Sequence, residues 1–317
     1  MGTAPGSMSI AQVAFSALTV EATTAWYRDM LGFEPAGGAG GIQGPEVEAM
    51  MGLPECECEM HWLTDTNDFF QLEFFSFRAP APVPGGRRPD EAGWSLVGFA
   101  VDDLDAVLGR LGGVPTGPVL GTGAQRRVCV RDPEGVWLEL RQLDRPSART
   151  VREGPVTTAF VRAVVADHDR ARDFFCGALG LRDTAAPLHT PEDERLWGGI
   201  PAITRSSMLT AEGDPGGLAI ELVQYTERVP RPLPDGYRIC DQGLLNVAFG
   251  SRSPEDYEAT VARVRAGGYR LHGELAVGPA RARYIVGTDD LSVELLTIPD
   301  RKIEEEFGFL PTAAPGA

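Results

Sequence analysis

Short strand-like runs with one carboxylate at their centre recur along the chain. The most marked is residues 69–77 (FFQLEFFSF), an aromatic run typical of a β-strand in which Glu73 is the only charged residue. Three further runs place a glutamate between apolar residues: Glu139 in 136–140 (VWLEL), Glu221 in 218–222 (LAIEL) and Glu294 in 291–295 (LSVEL). Four such strands predict four copies of one structural unit, each ending on a strand that carries a carboxylate.

The hydrophobic pattern between these strands repeats as well. In the first unit, residues 10–18 predict a strand and residues 21–31 an amphipathic helix. Glycine-rich residues 36–44 predict a mobile loop, and residues 57–64 and 69–77 a closing hairpin. The other three units have first strands at 95–101, 158–165 and 244–250, helices at 104–111, 170–179 and 254–265, and last strands at 136–142, 218–225 and 291–297. The order strand, helix, strands indicates an α+β protein.

The four units group into two halves. Glu221 follows Glu73 at the same interval at which Gly180 follows Gly32. Pro-rich linkers at 78–90 and 229–236 lie inside the halves, and a polar stretch at 143–155 separates them. We predict an N-terminal domain at 9–142 (units 9–78 and 93–142), a C-terminal domain at 157–299 (units 157–228 and 243–299) and a tail at 300–317 with one short helix at 302–307. A single unit leaves its sheet half covered, so we expect the two units of each half to pair.

Composition narrows the classes of partner. The net charge of −16 argues against nucleic acid or an anionic membrane, since both require clustered Lys and Arg. Residues 1–9 lack the features of a signal peptide and no apolar run approaches the length of a membrane span, so we expect a cytoplasmic protein. Five widely spread cysteines predict reduced thiols instead of disulfides.

Four segments carry a resemblance to a known family: residues 25–33 (AWYRDMLGF), 174–181 (FFCGALGL), 97–105 (VGFAVDDLD) and 132–135 (DPEG), the last followed by LEL at 138–140. Across about residues 9–299 the chain resembles the vicinal oxygen chelate superfamily, the group of glyoxalases, bleomycin-resistance proteins and extradiol dioxygenases. The resemblance implies four βαβββ modules paired into two glyoxalase-like domains, each an incomplete barrel with its helices outside. It says less about the reaction, because this fold hosts many chemistries.

The resemblance also implies where metal ligands lie: on the first strand of each module and at the glutamate of the last strand. Those positions hold Gln12, Leu96, Phe160 and Asn246 on the first strands and Glu73, Glu139, Glu221 and Glu294 on the last strands. No histidine occupies them, so the two-histidine, one-carboxylate iron site of extradiol dioxygenases is the least expected outcome. By halves, the sets are Gln12, Glu73 and Glu139 beside Leu96, and Glu221, Asn246 and Glu294 beside Phe160.

These oxygen-donor sets allow three interpretations. In the first interpretation, they bind one hard divalent cation such as Mg²⁺ or Mn²⁺, and Fe or Ni are further candidates. This cation would stabilise an enolate formed from the substrate. Without a metal, two glutamates in one apolar cavity would repel each other, so that one stays protonated as the acid while the other acts as the base. The third interpretation is that the glutamates are hydrogen-bonded and chemically inert.

We expect an isomerase or lyase that performs proton transfer on a small oxygenated molecule of aromatic or polyketide type. The alternative is a resistance protein that binds such a molecule without converting it. No partner besides the small molecule is expected, and the chain is a monomer or a homodimer. Candidate pocket residues are Trp62, Phe69, Phe75, Trp94, Leu96 and Phe160. Three histidines, His168, His189 and His272, are predicted to lie on the surface.

Overall fold

The computed structural model describes residues 8–114, 116–143, 152–184, 188–211 and 217–312. The polar boundary predicted at 143–155 and the end of the tail at 313–317 lie largely outside these ranges. Within them, four units follow one another, and each begins with a strand that leads into a helix. None of the described helices has the length and apolar character needed to cross a membrane.

The first unit contains two helices. Its elements are β1 (Ser9–Ser16), α1 (Val20–Trp26), β2 (Glu34–Gln43), α2 (Pro45–Met51), β3 (Glu57–Thr64) and β4 (Gln71–Ala79). A π-helical turn, Tyr27–Leu31, extends α1 up to Gly32, which has a positive φ of 81°. The loop predicted at 36–44 is wrong, because β2 pairs with β3 there. A Cβ on Gly38 would lie 2.4 Å from the Met60 carbonyl oxygen, so this glycine permits the close pairing.

The remaining units follow the predicted order. The second has β5 (Gly93–Val101), α3 (Leu104–Arg110), β6 (Arg127–Arg131) and β7 (Trp137–Gln142); the third has β8 (Val156–Val164), α4 (His168–Arg172), β9 (Leu181–Asp183), β10 (Thr204–Ala211) and β11 (Ala219–Tyr225); the fourth has β12 (Gly243–Ser251), α5 (Pro254–Ala266), β13 (Arg270–Val277), β14 (Ala280–Val286) and β15 (Ser292–Thr297). A last helix, α6 (Arg301–Glu306), begins the tail close to its predicted position. The fold is α+β with two curled sheets, as expected.

The pairing of units differs from the expectation. The first and fourth units form an eight-stranded sheet in the order β13-β14-β15-β12-β1-β4-β3-β2, and the second and third form a seven-stranded sheet in the order β6-β7-β5-β8-β11-β10-β9. The antiparallel pairs β1·β12 and β5·β8 join the units. The predicted pairing of consecutive units is therefore wrong. A repeat shows that each first strand needs a neighbour, but the repeat alone does not identify that neighbour.

One apolar core joins the helix-side faces of both sheets. Phe33 packs edge-on against Phe99, and Phe175 packs against Phe249, so that aromatic rings from different units meet in this core. The opposite face of each sheet is concave and carries the glutamates. We call the one that bears Glu73 the first concave face and the one that bears Glu139 the second concave face.

Candidate functional site

Strand register brings four polar side chains together on the first concave face. Ala14 of β1 lies between Glu73 of β4 and Asn246 of β12. Ala248, two positions further along β12, pairs with Gln12 on one side and with Glu294 of β15 on the other. The grouping expected by halves is therefore wrong, because Gln12 and Glu73 share a face with Asn246 and Glu294, whereas Glu139 and Glu221 lie together on the second concave face.

Glu73 is held at the centre of this group. Its Oε1 accepts a hydrogen bond from Trp62 Nε1 at 2.8 Å, and its Oε2 accepts one from the Gln12 amide. Glu294 Oε2 and both amide atoms of Asn246 are shielded from solvent and make no hydrogen bond of ordinary geometry with the described residues, although the Asn246 amide lies close enough to Glu294 and Tyr284 to favour their charged forms. Buried polar atoms without such a hydrogen bond are uncommon, which marks this group as the candidate site.

The environment raises the pKa of both carboxyl groups. Burial raises the pKa of Glu73 to about 7, although the hydrogen bonds from Trp62 and Gln12 favour the charged form. Burial, and then the nearby charge of Glu73, raises the pKa of Glu294 well above its usual value. Within the described chain, no arginine or lysine forms an ion pair with either group. The pair is therefore suited to hold one proton near neutral pH.

The glutamates of the second concave face have the opposite environment. Arg127 Nε and Arg141 Nε lie 2.7 Å and 2.5 Å from Glu139 Oε1, and Arg162 Nε lies 2.7 Å from Glu221 Oε2. Burial alone would raise the pKa of both carboxyl groups, but these guanidinium groups lower it. The charges are therefore neutralised by the protein itself.

A short segment of the third unit also fills this face. Residues Pro191–Trp197 form a 3₁₀ turn, and the ring of Trp197 lies under the Arg162 guanidinium at 4.6 Å. His189 contacts Arg162 Nη2 through Nδ1 at 2.9 Å and Glu194 Oε1 through Nε2 at 2.8 Å. His189 and His168 are buried, so their predicted surface positions are wrong.

The predicted pocket residues lie in three different places. Trp62 and Phe75 are on the first concave face, where Phe69 stacks on Phe309 of the tail at 4.8 Å. Leu96 and Phe160 are packed on the second concave face in one apolar cluster with Trp197. Trp94 lies apart from both faces and donates through Nε1 to the Ser292 carbonyl at 2.8 Å.

The oxygen ligands on the first concave face are suited to a hard divalent cation. Gln12 and Asn246 offer amide oxygens, Glu73 and Glu294 offer carboxylates, and the unpartnered atoms of Asn246 and Glu294 leave coordination capacity. Glu139 and Glu221 suit a cation less, because guanidinium groups already contact them. A separate set, Glu21, Glu59 and His61, has ligand atoms within 4.8 Å of one another on the helix side of β3.

Sequence reasoning missed the three arginines of the second concave face. Arg141 lies two residues after Glu139 on the same strand, and Arg127 pairs directly with Arg141 across the hairpin. Because alternate residues of a strand share a face, this spacing already places both cations beside Glu139. The register of the hairpin was the signal that could have revealed them.

Comparisons with known proteins agree with this fold. The family model described as the Glyoxalase/Bleomycin resistance protein/Dioxygenase superfamily matches residues 9–140 and 157–310. Glyoxalase I from Zea mays is similar at 17% identity, 95% coverage of this chain, 96% of that chain and a TM-score of 0.64. A putative dioxygenase from Bacillus subtilis subsp. subtilis str. 168 is similar at 15% identity, 98% and 93% coverage and a TM-score of 0.67. No curated protein matches the sequence. The chain belongs to the glyoxalase, bleomycin-resistance and dioxygenase superfamily, also called the vicinal oxygen chelate superfamily.

Proposed function

We propose that the chain is an enzyme, an isomerase or lyase, that transfers protons on a small oxygenated molecule at the first concave face. The observation that carries the proposal is the pair Glu73 and Glu294, which are buried on one face and form no ion pair with an arginine or lysine of the described ranges. Raised pKa values let one carboxyl group hold a proton while the other is charged. Acid and base are thereby available together near neutral pH.

The contacts of the two groups support different roles for them. Glu73, whose charged form is stabilised by hydrogen bonds from Trp62 and Gln12, accepts the proton from the carbon next to a substrate carbonyl. Glu294 donates its proton to the carbonyl oxygen, which gives an enol and leaves the charges balanced. In an isomerisation, Glu73 returns its proton to a different carbon while Glu294 takes back the hydroxyl proton. In an elimination, the group on the β-carbon leaves with its bonding electrons and takes the proton from Glu73, while Glu294 takes back the hydroxyl proton.

The position of Asn246 supports a role in orienting the substrate oxygen. Its buried amide lies beside Glu294 on the same face and makes no hydrogen bond of ordinary geometry with the described residues. A donor already fixed in a dry site stabilises developing negative charge more than a donor in water does. A divalent cation held by Gln12, Glu73, Asn246 and Glu294 would supply Lewis-acid stabilisation of the same oxygen when bound.

The proposal also covers the cellular location, the oligomeric state and the partners of the protein. We infer a cytoplasmic protein that acts as a monomer or homodimer and takes no partner besides its small-molecule substrate. Five free thiols, four of them buried, and a net charge of −16 support this proposal.

The experiment is hydrogen exchange at carbon, followed by NMR in D₂O with aromatic 1,3-dicarbonyl compounds such as benzoylacetone. We expect stereospecific exchange in the wild type and its loss in Glu73→Gln and Glu294→Gln. Glu59→Gln is the matched control, because Glu59 lies on the same strand as Trp62 but faces the helices.

Two results would contradict the enzymatic assignment. One is hydrogen exchange at carbon that proceeds at the wild-type rate in both Glu73→Gln and Glu294→Gln. The other is saturable ligand binding without exchange, with equal affinity in the wild type and in Glu73→Gln, which would identify a binding or resistance protein instead.

A further inference from the structure

The polar residues of the first concave face are covered by the protein itself. Gln12, Glu73 and Glu294 are only 3%, 5% and 6% exposed, and Asn246 is fully buried. A small molecule therefore reaches these side chains only after a covering element moves away. Residues 300–312, which we call the tail segment, cover one end of this face.

Side chains of the tail segment pack beside the proposed acid and base. Ile303 and Phe309 share one apolar cluster with Ala248 of β12. Ala248 pairs in register with Gln12 on one side and with Glu294 on the other. The tail segment is therefore a neighbour of Glu294 and of the amide that holds Glu73 in place.

Gly308 brings the backbone of the tail segment onto Trp62. A Cβ on Gly308 would lie 2.6 Å from Cδ2 of Trp62, and its φ of +74° is one that glycine adopts readily. The same Trp62 donates the hydrogen bond to Glu73. With its nitrogen turned toward the tail segment, the Gln71 amide donates to the Gly308 carbonyl oxygen at 2.6 Å. The cover thus lies directly on the side chains around Glu73.

The contacts that hold the tail segment can break without loss of a strand pairing. Arg252 forms ion pairs with Glu304 and with Asp68, and Thr312 N donates to the Pro35 carbonyl oxygen at 2.9 Å. No strand of the two described sheets comes from this segment. Elements with such limited bonding open locally at a lower free energy than the whole fold.

The other end of the face is covered by α2, which has a different attachment. It shares an apolar cluster with Ala14 and Phe75 and lies between β2 and β3, two strands that pair with each other. Movement of α2 would therefore strain a paired hairpin. The tail segment is the cover that can leave the face at the lower cost.

We infer that the tail segment is a lid, which opens to admit the substrate to the first concave face and closes over it during the reaction. The closed lid excludes water from Glu73 and Glu294, and this burial is the first cause of their raised pKa values. The inference rests on the proposed function in taking the covered face as the reaction site. The movement itself is tested without any reaction.

The test measures access to the face by alkylation of a thiol. Glu294→Cys places a thiol there on a shorter side chain, and its reaction with iodoacetamide is followed by mass spectrometry of the peptide that contains residue 294. On this background, Gly308→Ala adds a methyl group that collides with Trp62, so we expect alkylation to become about tenfold faster or more. Gly268→Ala is the matched control, because its φ of +75° imposes the same backbone strain and a Cβ there meets nothing within 4 Å. It should leave the rate unchanged.

Arg252→Gln is a second variant, which adds no strain to the tail segment. It removes the ion pairs to Glu304 and Asp68, so we expect faster alkylation here as well, by a smaller factor than in Gly308→Ala. Lys302→Gln is its control, because the Lys302 side chain is 81% exposed and pairs with Glu306 on the same helix. This control removes an equal charge and should alkylate at the rate of Glu294→Cys alone.

The dependence of the rate on urea separates lid opening from unfolding of the protein. Lid opening exposes little surface, so alkylation should change little in low urea, whereas access through global unfolding rises steeply with urea. Equal rates in Gly308→Ala and Gly268→Ala, or a rate that rises with the slope of global unfolding, would overturn the lid. Faster alkylation in a protein without hydrogen exchange at carbon supports the lid and contradicts only the proposed reaction. Exchange that depends on Glu73, with equal alkylation in all variants, contradicts only the lid.

Discussion

Glu139 and Glu221 share one guanidinium: Arg141 Nε lies 2.5 Å from Glu139 Oε1, and its Nη2 lies 3.5 Å from Glu221 Oε1. No such cation bridges Glu73 and Glu294 on the first concave face within the described residues. The two sheets thus use equivalent glutamates differently. One pair is part of a neutralised network that suits stability, and the other retains the raised pKa values that suit proton transfer.

The first prediction concerns stability and pH. The folded pKa of Glu73, about 7, lies above the ordinary 4.5, so the folded protein binds this proton more tightly than the unfolded chain does. That contribution to stability is fully present below the unfolded pKa and is lost as the pH rises through about 7. Glu73→Gln should therefore exceed the wild type in stability by less than about 1 kcal/mol at pH 5 and by about 3 kcal/mol at pH 8.

Urea denaturation at both pH values measures this difference. Glu59→Gln serves as the control and should change neither stability, because Glu59 is partly exposed and lies on the other face of β3. Equal destabilisation by Glu73→Gln at pH 5 and pH 8 would contradict the raised pKa.

The second prediction concerns the neutralised face. Arg162 is fully buried and pairs with Glu221, so Arg162→Met leaves a buried carboxylate with only the longer contact to Arg141. We expect a loss of about 3 to 5 kcal/mol in the free energy of unfolding. The double variant Arg162→Met with Glu221→Gln should recover part of this loss, because it removes the uncompensated charge. Strict additivity of the two single changes in denaturation experiments would show that the pair is not coupled.

The third prediction concerns Glu134, which lies in the turn DPEG. Its Oε2 accepts the Leu18 N–H and its Oε1 the Thr19 N–H, both at 2.9 Å, at the start of α1. A carboxylate from the second unit thus caps a helix of the first. Glu134→Ala should lower the free energy of unfolding by about 2 kcal/mol, because it removes the cap and the favourable charge at the helix N-terminus.

Glu46→Ala provides the comparison for this change, since Glu46 is an exposed acidic residue in the first turn of α2. It should alter stability by less than about 0.5 kcal/mol. If both variants unfold at the same urea concentration, the cap contributes nothing to stability.

Sequence patterns predicted the local elements well for a physical reason. Alternation of apolar residues placed Glu73, Glu139, Glu221 and Glu294 on strands, and each of them lies on one. Local patterns report which face of an element is apolar, and that face is buried in all four cases. The β2 strand was missed because its glycines have no side chains from which a pattern can arise.

The candidate site was harder to predict because it depends on contacts between distant segments. Gln12 and Asn246 share a face only because β1 pairs with β12, and hydrogen bonds between backbones carry no residue-specific signal.

The last prediction separates two places where a cation could bind. Mn²⁺ prefers oxygen ligands, so it should raise the melting temperature of the wild type through Gln12, Glu73, Asn246 and Glu294. At a concentration 100 times the dissociation constant, the stabilisation should be about 2.7 kcal/mol. Asn246→Leu removes one oxygen donor without altering charge and should reduce the Mn²⁺ effect markedly.

His61→Ala is the control for the other set, Glu21, Glu59 and His61, whose histidine favours Ni²⁺ or Zn²⁺. This variant should retain the full response to Mn²⁺ and lose any response to Ni²⁺. If the rise in melting temperature with Mn²⁺ persists in Asn246→Leu but disappears in His61→Ala, the cation binds on the helix side of β3 instead. Without any Mn²⁺ response in the wild type, proton transfer at the first concave face would rest on Glu73 and Glu294 alone, and the exchange experiment would then decide their role.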